Sequence, residues 1–137
     1  VTKIILIHLR LLKKLLRFLK MSNSINLALV GASGVVGKKI ISLLENKNIK
    51  INNFYPLGSS SVGDEIVFNS NTYLIEDMAN FDCSKVNLAI FSAGSKVAEE
   101  YAKDFVKAGA FVIDLSSKFR YEEDIPLIIP EINGDKI

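Results

Sequence analysis

Seven residues, Gly31-Ala32-Ser33-Gly34-Val35-Val36-Gly37, set three glycines at a spacing that lets a backbone run close to a bulky anion. Small side chains allow main-chain N–H groups to approach a pyrophosphate, and a helix starting here would aim its unpaired amides at the same charge. By itself such a triplet is also what any tight strand-to-helix turn requires. Context decides between the two. Ile25–Val30 before it is a short apolar run expected as a buried strand, and residues 35–46 after it carry Val36, Ile40, Leu43 and Leu44 on one helical face. Nucleotide binding is therefore the favoured reading, with Gly31, Ser33, Gly34, Val35, Val36 and Gly37 as candidate phosphate contacts.

Three further clusters fall where strands are expected to end. Gly58-Ser59-Ser60-Ser61-Val62-Gly63 stands at the place where an NAD-preferring domain usually shows a carboxylate for the adenosine ribose. Hydroxyls and loop amides tolerate a 2′-phosphate that a carboxylate would repel, so Ser59, Ser60 and Ser61 lean toward NADP. A solvent-exposed loop would explain the same residues. Ser92-Ala93-Gly94-Ser95 leaves room for a cofactor, or makes a plain turn. Ser116-Ser117-Lys118-Phe119-Arg120 offers a hydroxyl and a planar guanidinium suited to a phosphate, although Arg120 would serve equally well in a surface ion pair. Cys83, the single cysteine, precedes a strand and lies toward the opposite edge, which suits a structural role better than a nucleophilic one. His8 is the only histidine, and no metal-ligand spacing occurs.

The elements that must position these groups follow the hydrophobic pattern. Strands are expected near Ile51–Leu57, Val86–Phe91 and Ala110–Leu115, with a small hairpin or paired strands in 65–75 and a last extended piece at Pro126–Pro130. Lys96 to Lys107 is expected as a helix with Val97, Tyr101, Phe105 and Val106 inward, ended by Gly109. Alternating strands and helices imply an α/β fold: a Rossmann-like, doubly wound, mostly parallel sheet with helices on both faces.

A chain of 137 residues with 49% hydrophobic and 23% charged residues has the balance of one globular domain with a packed core. The formal charge of +2 conceals an asymmetry. Lys3, Arg10, Lys13, Lys14, Arg17 and Lys20 give residues 1–20 a charge of +6 without an acid, so the remainder carries −4. An acidic body argues against a nucleic-acid-binding core. Residues 1–20 read as a basic amphipathic helical extension to a nucleotide-binding domain at 21–137. That extension suits contact with an anionic membrane surface, or else precedes a natural start at Met21 and has no role.

Four segments recur together in one known family: Val30 to Gly37, Phe91 to Ser95, Val112 to Arg120, and Ile129-Pro130-Glu131-Ile132-Asn133. In this order they resemble the amino-terminal half of aspartate-semialdehyde dehydrogenase, from Leu27 to about Asn133. The resemblance implies an enzyme that reduces L-aspartyl 4-phosphate to aspartate 4-semialdehyde with NADPH, on the route to lysine, threonine, methionine and isoleucine; the single cysteine, which leaves no internal disulfide, adds the expectation of a cytoplasmic protein. It implies that Ser33 to Val36 contact the cofactor phosphates and Ser60 and Ser61 its adenosine end. Ser92, Ala93 and Gly94 would lie near the nicotinamide side, and Arg120 with Ser116 on the acyl phosphate.

Two departures from the family pattern stand at the site. Ser60 occupies a position where many members have arginine, and Leu115 one where many have asparagine. The family's nucleophilic cysteine follows the stretch matching Pro130–Asn133, and its base histidine and substrate-binding residues belong to a second domain through which members form oligomers. None of these is among the 137 residues, so this chain alone is expected to be catalytically silent, with an acyl phosphate bound only when a second domain completes it. N-acetyl-γ-glutamyl-phosphate reductase shares the architecture and an Asp-Leu-Ser segment like Asp114-Leu115-Ser116. A nucleotide-binding module without catalysis is the alternative of a different class.

Overall fold

The computed structural model describes residues 4–7 and 24–128. Its centre is a parallel sheet built from three strands, β2 (Asn26–Val30), β7 (Leu88–Phe91) and β8 (Phe111–Asp114), buried throughout except for the first residues of β2 and β8. Runs such as Leu27-Ala28-Leu29-Val30 lack a polar face because helices and loops cover both sides of a parallel sheet. The remaining strands are β1 (Ile4–Ile7), β3 (Asn53–Gly58), β6 (Glu76–Asp77) and β9 (Leu127–Ile128), giving the order β6-β3-β2-β7-β8-β1-β9. Strands β4 (Glu65–Phe68) and β5 (Asn71–Leu74) form a separate antiparallel hairpin.

Alternation along β2 divides the core in two. Leu27 and Leu29 point to one face, where Ile40 and Leu44 of helix α1 (Val35–Asn46) pack together with Phe54, Ile66 and Phe68. Ala28 and Val30 point to the other, against Ala98, Ala102 and Phe105 of helix α2 (Ser95–Lys107), with Phe91 and Phe119. The hairpin turns at Asn69 and Ser70, both at positive φ, as a two-residue connection of the I′ kind requires. Its Asn69 N–H donates to Glu45 of α1 at 2.8 Å. Gly109, at φ +99°, stops α2 and returns the chain to β8.

Several expectations shift. Residues 4–7 are a strand, not part of a helix over 1–20, and they pair in parallel with β8 and β9, with Ile5 opposite Ile113 and Leu6 opposite Leu127. Ile4-Ile5-Leu6-Ile7 is free of charge and three-quarters isoleucine, whose branched Cβ suits an extended backbone; the helical periodicity rested on the cations from Arg10 onward. The rest of that extension, with its expected membrane contact, lies outside the described residues, as do Glu131 and Asn133. On α1 the inward residues are Gly37, Ile40, Ile41 and Leu44, while Val36 is exposed. Among the described residues no helix is long and apolar enough to cross a membrane.

Phe105 is fully buried, edge-on to Phe91 at 5.5 Å between ring centroids and stacked on Phe81 at 6.1 Å. Phe105→Ala is expected to lower unfolding free energy by about 3–5 kcal/mol, read from urea denaturation of the two chains. A loss within error would mean that the α2 layer is not the core described.

Candidate functional site

Every parallel strand ends at the same edge, so the turns after β2, β3, β7 and β8 meet there. The turn after β2 is shaped by what its glycines leave out. Gly31 has φ +82°, a conformation that costs an L side chain strain, and a Cβ on it would lie 2.9 Å from the Ser92 carbonyl carbon. At Gly37 a Cβ would meet the Gly31 carbonyl oxygen at 2.2 Å and that of Ala32 at 2.8 Å. Helix α1 therefore lies against its own entry loop at a distance only glycine permits. At Gly34 the added carbon would be 3.4 Å from the Gly31 carbonyl oxygen, an ordinary contact, so this position has room for a methyl group where Gly31 and Gly37 have none.

Gly34 is the residue before the first helical turn, and it supplies no side-chain cap. The first amides of a helix lack carbonyl partners within it, so those at the start of α1 have hydrogen-bonding capacity and a positive dipole end to offer an anion. Val35 and Val36 flank them, 75% and 39% exposed. These are the features a pyrophosphate needs: a cradle free of side chains, uncapped amides and no acidic side chain in the first turn.

The serine loop after β3 joins this turn through one contact. Ser61 accepts a hydrogen bond from the Ser33 hydroxyl at 3.0 Å, and Ser61 also sits under Gly58. Ser60 is exposed, whereas Ser59 lines a cleft of about 230 Å³ together with Val30, Gly58, Met78, Ala93, Lys96, Val97, Glu100 and Tyr101. Sequence reasoning grouped Ser59 with Ser60 and Ser61 as hydroxyls for a 2′-phosphate, but only Ser60 and Ser61 were carried to the adenosine end by the family resemblance. It missed the far wall. Lys96, Val97, Glu100 and Tyr101 are neighbours on one side of α2 at i, i+1, i+4 and i+5, a helical spacing that was visible but read only as packing.

After β7, the Ser92 hydroxyl donates to the carbonyl oxygen of Val30 at 2.8 Å, and it lies 3.3 Å from that of Gly31. Ser92 is thus a tie between two strand ends, with lone pairs left for a ligand. Ala93 and Gly94 are exposed beside it. After β8, the fully buried Asp114 carboxylate accepts from the Ser116 N–H at 3.0 Å and its hydroxyl at 2.7 Å, and the Ser116 oxygen accepts the Lys118 N–H at 3.1 Å. Ser95 and Ser117 hydroxyls meet at 3.1 Å, and Lys118 bonds Glu99 at 2.6 Å, fastening this turn to the start of α2. Arg120 stands exposed at its far end. Cys83 is half-buried in a 3₁₀ turn (Cys83–Lys85) leading into β7, and burial pushes its thiol pKa up, away from the reactive thiolate.

The fold and this edge define a dinucleotide-binding α/β domain. A model of the semialdehyde dehydrogenase NAD-binding domain matches residues 26–137, and the chain belongs to that family. The aspartate-semialdehyde dehydrogenase of Legionella pneumophila is 50% identical over 111 residues, which are 80% of this chain and 32% of that protein. The crystal structure of aspartate semialdehyde dehydrogenase II from Vibrio cholerae, complexed with ASA, superposes with a TM-score of 0.78 at 36% identity, covering 82% of this chain and 37% of that one. The fold also matches the Candida albicans enzyme with NADP, at a TM-score of 0.70 and 21% identity. The chain spans about a third of the length of these relatives. N-acetyl-γ-glutamyl-phosphate reductase is not favoured as the nearer kin.

Gly37→Ala is expected to destabilise the chain by about 1–3 kcal/mol through the clash with the Gly31 carbonyl, and Gly34→Ala by under about 1 kcal/mol; thermal melts compare them, and equal losses would contradict the packing described.

Asp114 provides a pH test. Burial raises its pKa above the ordinary aspartate value, against the pull of the Ser116 bonds. Between the two values the unfolded chain has released the proton that the folded chain keeps, so stability falls as pH rises through that window. The stability of the wild type relative to Asp114→Asn is therefore expected to be highest in acid and to decline as pH rises toward neutrality. Denaturation midpoints at a series of pH values would show it, and a difference that is flat or rises with pH would contradict it.

Proposed function

We propose that this chain is the NADP(H)-binding part of a cytosolic aspartate-semialdehyde dehydrogenase, and that the complete protein carries out NADPH-dependent reductive dephosphorylation of L-aspartyl 4-phosphate. One observation carries the reading: an uncapped helix start, held against a glycine turn, opens beside a cleft whose β3 wall bears the Ser59 hydroxyl and no acid. Gly31 and Gly37 keep the loop close, and Ser33 to Val36 meet the cofactor phosphates. The serine loop takes the adenosine end, where a carboxylate would oppose a 2′-phosphate. Ser92, Ala93 and Gly94 border the path toward the nicotinamide, which supplies hydride chemistry when bound.

The turn after β8 serves the acyl phosphate. Asp114 holds Ser116, Ser116 holds the Lys118 amide, and the guanidinium of Arg120 projects from the rigid turn so formed. By the family resemblance the nucleophile follows the stretch matching Pro130–Asn133 and the base belongs to the second domain, so the role proposed for these 137 residues is to bind the cofactor.

Titration of the full chain with NADPH and NADH, followed by nucleotide fluorescence, tests this. NADPH is expected to bind the more tightly, and Gly34→Asp, which puts a negative charge where the phosphates lie, is expected to weaken both by about a hundredfold. Binding of neither dinucleotide would overturn the reading.

A further inference from the structure

The 2′-phosphate on which NADP recognition depends needs a counter-charge, and the serine loop has none. Residues 58–63 are Gly-Ser-Ser-Ser-Val-Gly, and Ser60 stands where many relatives carry arginine. Hydroxyls donate hydrogen bonds to a phosphate dianion without neutralising it, whereas a cation brings the opposite charge as well as the hydrogen bond.

The cleft brings one cation to this place from the other side. Lys96, in the first turn of α2, lines it together with Ser59 and Gly58 from the end of β3, where doubly wound domains meet the adenosine ribose. Helix stability does not account for a lysine there, because the positive end of a helix dipole disfavours a cation in the first turn. Ion pairing does not account for it either: among the described residues the salt bridges are Lys107 with Asp104 and Lys118 with Glu99, and Lys96 takes part in neither. Glu100, one turn further along the same wall, faces the same cleft. An acid this close penalises a phosphate that lacks its own counter-ion, which makes the ammonium of Lys96 more necessary.

We infer that Lys96 is the residue that selects a 2′-phosphorylated adenosine, reaching the phosphate across the cleft from Ser59. This assignment rests on the cofactor reading above and adds to it a specificity residue outside both the glycine turn and the serine loop. The apolar walls, Val30, Met78 and Val97, would hold the base, and the 2′-phosphate would lie between the Ser59 hydroxyl and the Lys96 ammonium.

The adenosine half of the cofactor isolates the effect. Calorimetric titration of the full chain with adenosine 2′,5′-bisphosphate and with AMP is expected to favour the bisphosphate by about tenfold or more. Lys96→Met is expected to remove most of that preference while leaving AMP within about twofold, and Lys96→Arg to retain it. Raising the ionic strength should erode the preference in the wild type and hardly change what is left in Lys96→Met. A preference that survives intact in Lys96→Met, or no preference in the wild type, overturns the assignment while leaving dinucleotide binding in place. Equal weakening of both ligands by Lys96→Met means a structural role and overturns it as well. Binding of neither half-cofactor nor dinucleotide overturns this inference and the cofactor reading together.

Discussion

The ligand edge depends on how closely helix α1 is pressed onto the turn before it. A carbon on Gly37 would stand 2.2 Å from the Gly31 oxygen, and one on Gly31 would run into the backbone at Ser92. These two exclusions act in different directions. The first brings the helix down onto its entry loop, so the unpaired amides are aimed at the space above β2. The second lets the turn after β7 come against the turn after β2, so the two strand ends form one floor. A methyl group at either position would push apart parts whose usefulness lies in being adjacent.

The turn after β8 reaches rigidity by the opposite means. It relies on bonds between side chains and backbone, starting from a carboxylate that burial strips of water and that two donors from Ser116 compensate. Polar groups taken out of water must be satisfied to be tolerated, and once satisfied they hold the backbone around them in one arrangement. The Ser95–Ser117 and Lys118–Glu99 contacts extend that arrangement to α2. The edge is thus close-packed at one end and bonded at the other, with helix α2 contributing to the cleft between.

Much of this was legible beforehand because the informative residues are local. Leu27 to Val30 read as a buried strand, the glycines as a turn opening a helix, and Gly109 as a helix stop, since each depends on its immediate neighbours. The hairpin was legible as a hairpin, though its Asn69-Ser70 turn was not. Less accessible was whatever depends on distant partners. Strand β6 is two residues long and is defined only by its ladder to β3. Ile4–Ile7 read as helix because cations further along set the period, and pairing with β8 outweighs it. At the site, Ser59 and Ser61 are identical in type and differ only in which way the loop turns them. The α2 wall becomes a wall only when β3 and Met78 are set opposite it.

Neither α1 nor α2 has a side chain capping its amino end; serine or aspartate would supply one at Gly34, whereas Gly94, at φ +89°, accepts neither without strain. Both ends open on the ligand edge. An anion seated there takes the part a cap would play, so the first helical turn is completed by something the chain does not encode. If the nucleotide sits there as proposed, occupancy becomes a component of folding itself: the population of intact helix starts would follow the concentration of free nucleotide by mass action. Proteolytic lifetime would follow it too, and a cell short of the nucleotide would clear the domain faster than one well supplied.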